Sequence, residues 1–371
     1  MITRRNFAAR IGAAVAAGRM LPEMAYAQRA MIQGNLPPNM VWLNANENPL
    51  GPPKSSLAAM ADVLSASGRY HYQEVRDFYA ALAHSEDLQP ENVLVGSGSS
   101  EMLHAAVEAF TSPDRPMIVM YPTYEGPPEV ARALQRQVVK VPLLPDYSAD
   151  VRKLAEAADK MRGGLIYMCN PNNPTSAITP KAEVSWLVRN LPADTVLLID
   201  EAYIHFGESK DLESALPYIR QGKNVVVART FSKIYGMAGV RAGFVCAPPE
   251  LIERMRPFRN NVLSIIAIRA VLAALGESRT LIPERCAVNA HVRAELCSWL
   301  RERKLAYIEP QANFMMIDVG RNAREFITKM PPMGVAVGRP FPPLDNMLRV
   351  TIGTGEEMQK FRDVFWRVYQ G

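Results

Sequence analysis

The stretch that decides the fold is Thr195-Val-Leu-Leu-Ile-Asp-Glu-Ala-Tyr203, in which a short apolar run ends in two carboxylates and a tyrosine. The pattern occurs twice more: residues 164–169 lead into Asn170-Pro-Asn-Asn-Pro-Thr175, and residues 224–228 lead into Thr230-Phe-Ser-Lys233. Such β-rich runs between helical segments predict a mostly parallel sheet covered by helices on both faces. Ligands of these sheets bind beyond the carboxyl ends of the strands, which is where the polar loops fall.

The same alternation extends outward from these runs. The sequence also predicts two strands, over residues 93–96 and 117–120, and a helix over residues 99–110. From about Ile265 the pattern changes and predicts a long helix over residues 284–304, strands over 313–319 and 347–352, and a last helix over 356–369. A large α/β domain followed by a smaller α+β domain is therefore expected.

Four parts of the chain are expected. They are a signal over residues 1–27, an arm over 28–55 that joins the small domain, a large domain over 56–270 and a small C-terminal domain over 271–371. The proline-rich segment 35–53 predicts an extended arm, since proline disrupts both helix and central strand.

The net charge of +5 on 371 residues is concentrated at the N-terminus. Residues 1–27 hold four arginines against Glu23, a net of +3, so the rest of the chain carries only +2 (5 minus 3). No basic run with interleaved aromatic residues occurs, which argues against nucleic-acid binding. No apolar run approaches the roughly 20 residues that a membrane helix needs, so no stable membrane insertion is expected.

The N-terminus resembles an export signal. Thr3-Arg4-Arg5-Asn6-Phe7 carries a twin-arginine pair, a weakly apolar stretch follows over residues 11–18, and Ala25-Tyr26-Ala27 offers small residues for a signal peptidase. This predicts passage through the twin-arginine export machinery to the bacterial periplasm. The alternative is a basic N-terminal extension on a cytoplasmic enzyme.

The four cysteines match no metal-binding spacing, and no metal site is expected. Cys169 and Cys246 lie in apolar strand-like segments, which predicts buried thiols. Cys286 and Cys297 lie on one predicted helix, where eleven residues at about 1.5 Å rise separate them by roughly 16 Å. That distance is too long for a bridge, so no disulfide is expected.

Thr230-Phe-Ser-Lys233 is the first group of residues that indicates chemistry. A lysine placed after a buried strand is unusual, because burial penalises its charge. A lysine that forms an imine with an aldehyde cofactor needs that environment, since it keeps the amine neutral and nucleophilic. The hydroxyls of Thr230 and Ser232, with the guanidinium of Arg241, form a set that can bind a phosphate. The alternative is a surface lysine in a basic loop.

Asp200 and Tyr203, with the nearby Asn173, suit a pyridine cofactor. A carboxylate beside the ring nitrogen keeps that nitrogen protonated, and the ring then accepts electrons. Tyr203 and Asn173 can donate to the phenolic oxygen of the ring. Their alternatives are structural: Asp200 as a helix cap, and Asn173 in a plain turn.

Gly96-Ser-Gly-Ser-Ser100-Glu lies where a strand turns into a helix. Free backbone N–H groups and the helix dipole at such a turn bind phosphate, and the alternative is a serine cap alone. The dinucleotide-binding GxGxxG pattern is not met, since position 101 is Glu.

The order of these motifs is more specific than any one of them. They run along the chain as Gly98-Ser-Ser100, Pro122-Thr-Tyr124, Asn173-Pro-Thr175, Asp200-x-x-Tyr203, Ser232-Lys233 and Arg241. The chain thereby resembles the class II group of fold-type I pyridoxal-phosphate aminotransferases, and within it the histidinol-phosphate aminotransferase family. The resemblance extends from Leu43-Asn-Ala-Asn-Glu-Asn-Pro49 to Leu348-Arg-Val-Thr-Ile-Gly-Thr354.

The resemblance implies roles for the matching residues. Lys233 would bind pyridoxal 5'-phosphate covalently, and Asp200 would pair with the ring nitrogen. Asn173 and Tyr203 would contact the phenolic oxygen, and Tyr124 would stack on the ring. The residues implied around the phosphate are Ser99, Ser100, Thr230, Ser232 and Arg241.

Further implied roles concern the substrate and a second subunit. Arg349 would bind the substrate α-carboxylate, Arg339 would be a second arginine of the substrate pocket, and Asn46 would contact the substrate. Tyr70, in Gly68-Arg-Tyr-His71, would reach the phosphate in the neighbouring subunit of a homodimer.

Two positions depart from the family pattern. Ser176 stands where a glycine commonly follows Asn-Pro-Thr, and Val337-Gly-Arg339-Pro-Phe-Pro-Pro343 replaces the usual approach to the last strand. The second departure predicts that Arg339 is re-aimed.

The resulting hypothesis is an aminotransferase that moves an amino group between an amino acid or amino phosphate and a 2-oxo acid. Two alternatives stay open. One is a decarboxylase or lyase with the same cofactor, since the bond that breaks depends on its angle to the ring. The other is a non-catalytic exported carrier of vitamin B6, against which Arg349 argues, because a carrier needs no carboxylate-binding arginine.

Overall fold

A computed structural model describes residues 37–259 and 262–371. The predicted signal, residues 1–27, and residues 28–36 of the predicted arm lie outside these ranges. Within them no helix has the length and apolarity needed to cross a membrane.

Eleven strands occur in the described chain. They are β1 (Val41–Leu43), β2 (Val93–Gly96), β3 (Met117–Tyr121), β4 (Val138–Pro142), β5 (Gly164–Cys169), β6 (Thr195–Asp200), β7 (Val225–Thr230), β8 (Gly243–Cys246), β9 (Phe314–Asp318), β10 (Val335–Val337) and β11 (Met347–Thr351).

Twelve α-helices accompany the strands in the same ranges. They are α1 (Lys54–Val63), α2 (Tyr72–Ser85), α3 (Ser99–Phe110), α4 (Gly126–Ala133), α5 (Val151–Lys160), α6 (Lys181–Arg189), α7 (Leu216–Arg220), α8 (Pro249–Met255), α9 (Ile265–Gly276), α10 (Ser278–Glu302), α11 (Arg324–Lys329) and α12 (Gly355–Gln370).

A seven-stranded sheet forms the centre of the molecule, in the order β2-β8-β7-β6-β5-β3-β4. Strand β8 is antiparallel to both of its neighbours, and the pairings among β7, β6, β5, β3 and β4 are parallel. This confirms the predicted fold class. All six residues of β5 and all six of β6 are buried, as expected for strands with both faces covered.

Alternate residues of the central strands enter two different cores. Ile166 and Met168 of β5 pack in the core beneath one face, with residues of α1, α2, α5 and α9. Leu165 and Tyr167 pack in the core on the other face, mainly with α3 and α8. The period of two between buried side chains is what a strand between two helical layers requires.

A smaller unit has its own core. Strand β1 pairs in parallel with β10, and β9 pairs antiparallel with β11. Most of their buried apolar residues pack with α12 and with the second half of α10, from Val292 onward, whereas Phe314 of β9 packs in the large-sheet core. Strand β1, in the part of the arm that the structure describes, therefore adds a strand to the small unit.

The transition between the two units falls within α10. All buried residues of α9 from Ile265 to Ala274, apart from Ala267, pack in the large-sheet core, and Leu281, Ile282 and Cys286 of α10 pack against it. The predicted division after residue 270 cuts through α9. Helix α10 also begins at Ser278, ahead of Pro283, rather than at residue 284. Periodicity does not show which core an apolar helix faces, so sequence alone misplaces this division.

Candidate active site

A cavity of about 760 Å³ lies at the carboxyl ends of β5, β6 and β7, within the size range of small-molecule and cofactor sites. It brings together every predicted site residue except Tyr70. They are Asn46, Ser99, Ser100, Tyr124, Asn173, Asp200, Tyr203, Thr230, Ser232, Lys233, Arg241, Arg339 and Arg349.

Lys233 projects its amine into this cavity just beyond the end of β7. Nζ donates to the backbone oxygens of Asn46, at 3.0 Å, and Ala45, at 3.3 Å. Burial, assisted by the nearby cation Arg349, lowers the pKa of the Lys233 amine to about 8. A partly neutral amine is the state in which a lysine attacks an aldehyde.

Asp200, the last residue of β6, is buried at the floor of the cavity. Its carboxylate accepts hydrogen bonds from the backbone N–H of Ala202, at 3.1 Å, and the hydroxyl of Tyr167, at 3.2 Å. Burial raises the pKa of Asp200 to about 6, while these two hydrogen bonds oppose the rise. A buried carboxylate in this state favours a cationic partner, which a protonated pyridine nitrogen supplies.

Tyr167 is a site residue that the sequence reasoning missed. Its side chain is fully buried in β5, and its hydroxyl donates to Asp200 across the neighbouring strand. A signal was present: Tyr167 is the only hydroxyl-bearing residue in the apolar run of residues 164–169. A buried tyrosine hydroxyl generally has a hydrogen-bond partner, and the nearest carboxylate motif was at the end of the next strand.

The polar groups of Tyr203 and Asn173 form hydrogen bonds with other predicted site residues. Asn46 donates its side-chain amide to the Tyr203 hydroxyl at 3.1 Å. Burial raises the pKa of Tyr203, so its hydroxyl keeps the proton and stays a donor. The Asn173 amide oxygen accepts a hydrogen bond from Arg349 at 2.7 Å, which leaves its amide nitrogen as the group that can donate into the cavity.

The predicted phosphate seat depends on glycines that let backbone and side chains approach closely. Gly98, before α3, has φ +81°, and a Cβ there would lie 2.3 Å from a guanidinium nitrogen of Arg241. A Cβ on Gly243 of β8 would lie 2.1 Å from the backbone nitrogen of Ser99. The N-terminus of α3 is therefore held against β8, beside Arg241.

The other members of the seat are the hydroxyls at the end of β7. Thr230 donates to the Ser232 hydroxyl at 2.9 Å and accepts from the Ser232 backbone N–H at 3.1 Å. Arg241, which has φ +61°, donates to the backbone oxygens of Ala238 and Ser97. Hydroxyls, a guanidinium and a helix N-terminus together match the oxygen atoms of a phosphate.

The ends of β6 and β7 are tied together on the side of the sheet away from Asp200. Arg229 donates to the Glu201 carboxylate through Nε, at 3.2 Å, and through a terminal nitrogen, at 2.9 Å, and it also pairs with Glu86. Each of the two bonded residues is the chain neighbour of a site residue, Thr230 or Asp200. The ion pair between Arg229 and Glu201 therefore fixes the position of the end of β6 relative to the end of β7.

Arg349 is buried in β11, and its hydrogen bonds go to uncharged oxygens, those of Asn173 and the backbone of Asn44. Its Nε has no hydrogen-bond partner in the described chain. Burial lowers the pKa of the guanidinium to about 10. A buried cation in a cavity wall that is bonded to neutral oxygens is suited to binding a carboxylate.

Arg339 also lines the cavity, and the departure in the approach to β11 does not remove it from the wall. It forms an ion pair with Glu125 and lies over the ring of Phe341, 4.1 Å from the ring centroid. The other departure, Ser176, is fully buried with φ +63°, so a serine adopts the left-handed conformation that glycine favours.

Tyr124 stands in the cavity wall against Gly126, where a Cβ would lie 2.8 Å from its ring. Tyr70 is the one predicted residue outside the cavity. It is 80% exposed and stacks on Tyr72, with ring centroids 5.7 Å apart.

The buried thiols also follow the prediction. Cys169 and Cys246 are buried, and all four cysteines are free. In residues 37–259 and 262–371, no cluster of three or more histidine, cysteine or carboxylate side chains could hold a metal ion.

Comparisons with known proteins identify the family of the chain. The family model described as aminotransferase class I and II matches residues 38–365. A histidinol-phosphate aminotransferase from Moorella thermoacetica is 34% identical over 336 residues, covering 87% of this chain and 84% of that protein. An aromatic amino acid aminotransferase from Mycobacteroides abscessus is 32% identical, covering 92% of this chain and 97% of that protein.

A solved structure extends the comparison to the fold. The crystal structure of histidinol-phosphate aminotransferase from Sinorhizobium meliloti in complex with pyridoxal-5'-phosphate has a TM-score of 0.85 and 25% identity, covering 95% of this chain and 98% of that one. The protein is thus a fold-type I enzyme. The chain belongs to the aminotransferase class I and II family and is similar to histidinol-phosphate aminotransferases.

Enzymes of this family depend on pyridoxal phosphate, and the cavity fits that cofactor. Lys233 offers a buried amine with a lowered pKa, and Asp200 offers a buried carboxylate for the ring nitrogen. The close approach at Gly98 and Gly243 shapes a seat for the phosphate. We therefore describe the protein as a pyridoxal-phosphate-dependent aminotransferase.

Proposed function

We propose that this aminotransferase moves an amino group between an amino acid or amino phosphate and a 2-oxo acid. The observation that carries the proposal is that Lys233, Asp200 and Arg349 converge on one cavity, although they lie far apart in sequence. Arg349 distinguishes this site from that of a vitamin carrier, because it places in the cavity wall a buried guanidinium whose hydrogen bonds go to neutral oxygens, as a carboxylate-binding arginine requires.

Each residue has a proposed task. Pyridoxal phosphate, when bound, supplies an aldehyde carbon and a ring that accepts electrons. Lys233 attaches the cofactor, and its amine, once released, takes the proton from the substrate Cα. Asp200 holds a proton on the ring nitrogen. Tyr203 and Asn173 donate to the ring oxygen, and Arg349 orients the α-carboxylate.

The remaining site residues position the cofactor. Tyr124 packs on the ring. The proposed phosphate ligands are Ser99, Ser100, Thr230, Ser232 and Arg241.

A half-reaction assay separates transamination from decarboxylation or lyase chemistry. An amino donor is first added to the holoenzyme, and the loss of the absorbance of the lysine-bound cofactor is followed. We expect that absorbance to return when 2-oxoglutarate is added, with glutamate formed in equal amount. Release of carbon dioxide without any keto acid would contradict transamination. Lys233→Ala is the control, and borohydride should no longer fix the cofactor to its chain.

The amino donor is proposed from the names of the relatives. One is a histidinol-phosphate aminotransferase and another an aromatic amino acid aminotransferase, so the donor is expected to carry an aromatic or imidazole side chain. A panel that includes histidinol phosphate, histidine, phenylalanine and aspartate, scored by loss of the same absorbance, ranks these donors.

We further propose that the enzyme works as a homodimer with shared active sites. Support comes from an exposed apolar segment that runs from the end of α1 to the start of α2, where Leu64, Tyr70 and Tyr72 are all exposed. Exposed large apolar groups that are close in the chain are typical of a protein–protein interface. Tyr70 is then free to reach the phosphate in the partner's site.

Export is also a proposal. The twin-arginine pair Arg4-Arg5 and the segment Ala25-Tyr26-Ala27 support passage of the folded enzyme to the periplasm by the twin-arginine route. The cofactor is then bound in the cytoplasm, where it is made, before the chain crosses the membrane.

A further inference from the structure

Glu125 is a cavity-wall residue that none of the proposed roles uses. It follows Tyr124 and precedes α4, and it lines the same cavity as Lys233. Its carboxylate forms an ion pair with Arg339, and about a quarter of each side chain is exposed, 26% for Glu125 and 23% for Arg339. The pair therefore lies where an incoming substrate can meet it.

Arg339 is held in place on its other sides. Its guanidinium lies over the ring of Phe341, and one terminal nitrogen donates to the backbone oxygen of Pro340 at 3.0 Å. Burial lowers the pKa of Arg339 to about 10, and Arg349 contributes to the same shift. Glu125 offsets the cost of keeping this second cation close to the first.

The two arginines thus differ in charge balance, although both contact Phe341. Arg349 lies 4.5 Å from the centroid of that ring, and its hydrogen bonds go to the neutral oxygens of Asn173 and Asn44, so its charge remains available. The charge of Arg339 is balanced by Glu125. One end of the substrate pocket is therefore cationic, and the other is close to neutral.

We propose that Glu125 is a specificity-determining residue that adapts the side-chain end of this pocket to uncharged side chains. A substrate with one α-carboxylate and an aromatic or imidazole side chain leaves the pair between Glu125 and Arg339 closed. A second anion on the substrate must instead displace the Glu125 carboxylate from Arg339. The inference rests on the proposed transamination for the direction in which the substrate lies, with its α-carboxylate on Arg349.

Binding of unreactive analogues to the holoenzyme tests this without requiring turnover. The probes are maleate, a dicarboxylate, and 3-phenylpropionate, a monocarboxylate with an aromatic ring, titrated against the cofactor absorbance. Glu125→Gln should strengthen maleate binding about tenfold, the effect of removing one competing charge, and change 3-phenylpropionate binding less than about threefold. Glu129→Gln, on the first turns of α4 but outside the cavity wall, is the matched control and should change neither.

A second pair of variants shows whether Glu125 acts through Arg339. In an Arg339→Met background, adding Glu125→Gln should no longer strengthen maleate binding, because the cation that the anions compete for has been removed. Glu125→Ala replaces Glu125→Gln if the glutamine variant does not hold the cofactor, with the same expected gain.

Two results would overturn the proposal. One is maleate binding to Glu125→Gln within threefold of the parent enzyme; the other is an equal gain for both analogues. The half-reaction assay is independent of these titrations. If the parent enzyme does not transaminate but Glu125→Gln still strengthens maleate binding, the proposed reaction alone is refuted. If the parent enzyme transaminates but Glu125→Gln does not strengthen maleate binding, the role of Glu125 alone is refuted.

Discussion

Lys233 shows at the scale of one residue how burial turns an ordinary side chain into a reactive one. An exposed lysine has a pKa of about 10.4, whereas burial lowers the pKa of Lys233 to about 8. Because deprotonation gives the nucleophile, the reactive fraction in the cofactor-free enzyme rises with pH and is half-maximal near pH 8.

This predicts a distinctive pH profile for Lys233. In the cofactor-free enzyme, labelling by formaldehyde and a mild hydride donor should rise through about pH 8 at Lys233, and near pH 10 at exposed lysines. Peptide mass spectrometry reads both in one sample. A Lys233 profile that coincides with that of the exposed lysines would show that the amine is not desolvated.

Asp200 carries the second prediction at this scale. Asp200→Asn removes the anion that would pair with the ring nitrogen of the bound cofactor, and a neutral amide would not keep that nitrogen protonated. We expect the transamination rate to fall at least about a hundredfold, equivalent to about 2.7 kcal/mol. Asp159→Asn, on the exposed face of α5, is the control and should leave the rate unchanged. A loss below about tenfold for Asp200→Asn would refute its role.

At the scale of elements, the site depends on how closely α3 and β8 approach each other. A Cβ on Gly243 would lie 2.1 Å from the Ser99 nitrogen and 2.4 Å from the Gly98 carbonyl carbon, so backbone would have to move. Contacts with backbone cannot be relieved by a change of rotamer, and the phosphate seat itself would shift.

Gly243→Ala is therefore expected to weaken cofactor binding about tenfold or more while the chain still folds. Equilibrium dialysis against pyridoxal phosphate measures the affinity, and circular dichroism monitors folding. Gly276→Ala is the matched control, since a Cβ at the end of α9 meets nothing within 4 Å. Equal cofactor affinity in both variants would contradict the role of the close approach.

At the scale of the whole molecule, shared active sites predict complementation between inactive variants. Tyr70→Phe and Lys233→Ala each impair a different part of the site, and Tyr70 lies outside the cavity of its own chain. Mixing the two variants one to one should restore up to about a quarter of the parent activity, because about half of the dimers are hybrids and each hybrid contains one intact site of two. If light scattering shows a monomer and that monomer is fully active, this prediction is contradicted.

Export is the second prediction for the whole chain. Replacing Arg4 and Arg5 with lysine should retain the enzyme in the cytoplasm at full length, whereas the parent chain should appear in the periplasm in a shortened form. Cell fractionation and mass determination measure both. Cytoplasmic, full-length enzyme from both the parent and the variant would show that residues 1–27 are not an export signal, and it would strengthen the case for histidinol phosphate as the substrate.

Much of this protein follows from local patterns in the sequence. The short apolar, β-rich runs over residues 164–169, 195–199 and 224–228 predict buried strands, and the polar residues that follow them predict a site at one edge of the sheet. Lys233, Asp200 and Arg241 could therefore be assigned from order and spacing, because parallel strands bring their carboxyl ends to the same edge.

The tertiary structure decided the contacts between residues that lie far apart in the chain. It joined Tyr167 to Asp200, placed Glu125 on Arg339 and set β8 antiparallel between β2 and β7. Sequence periodicity reports which face of an element is buried, but not which side chain of another element meets it. Those pairings depend on the path of the chain between the elements, and here they determine the protonation of the site and the charge of its substrate pocket.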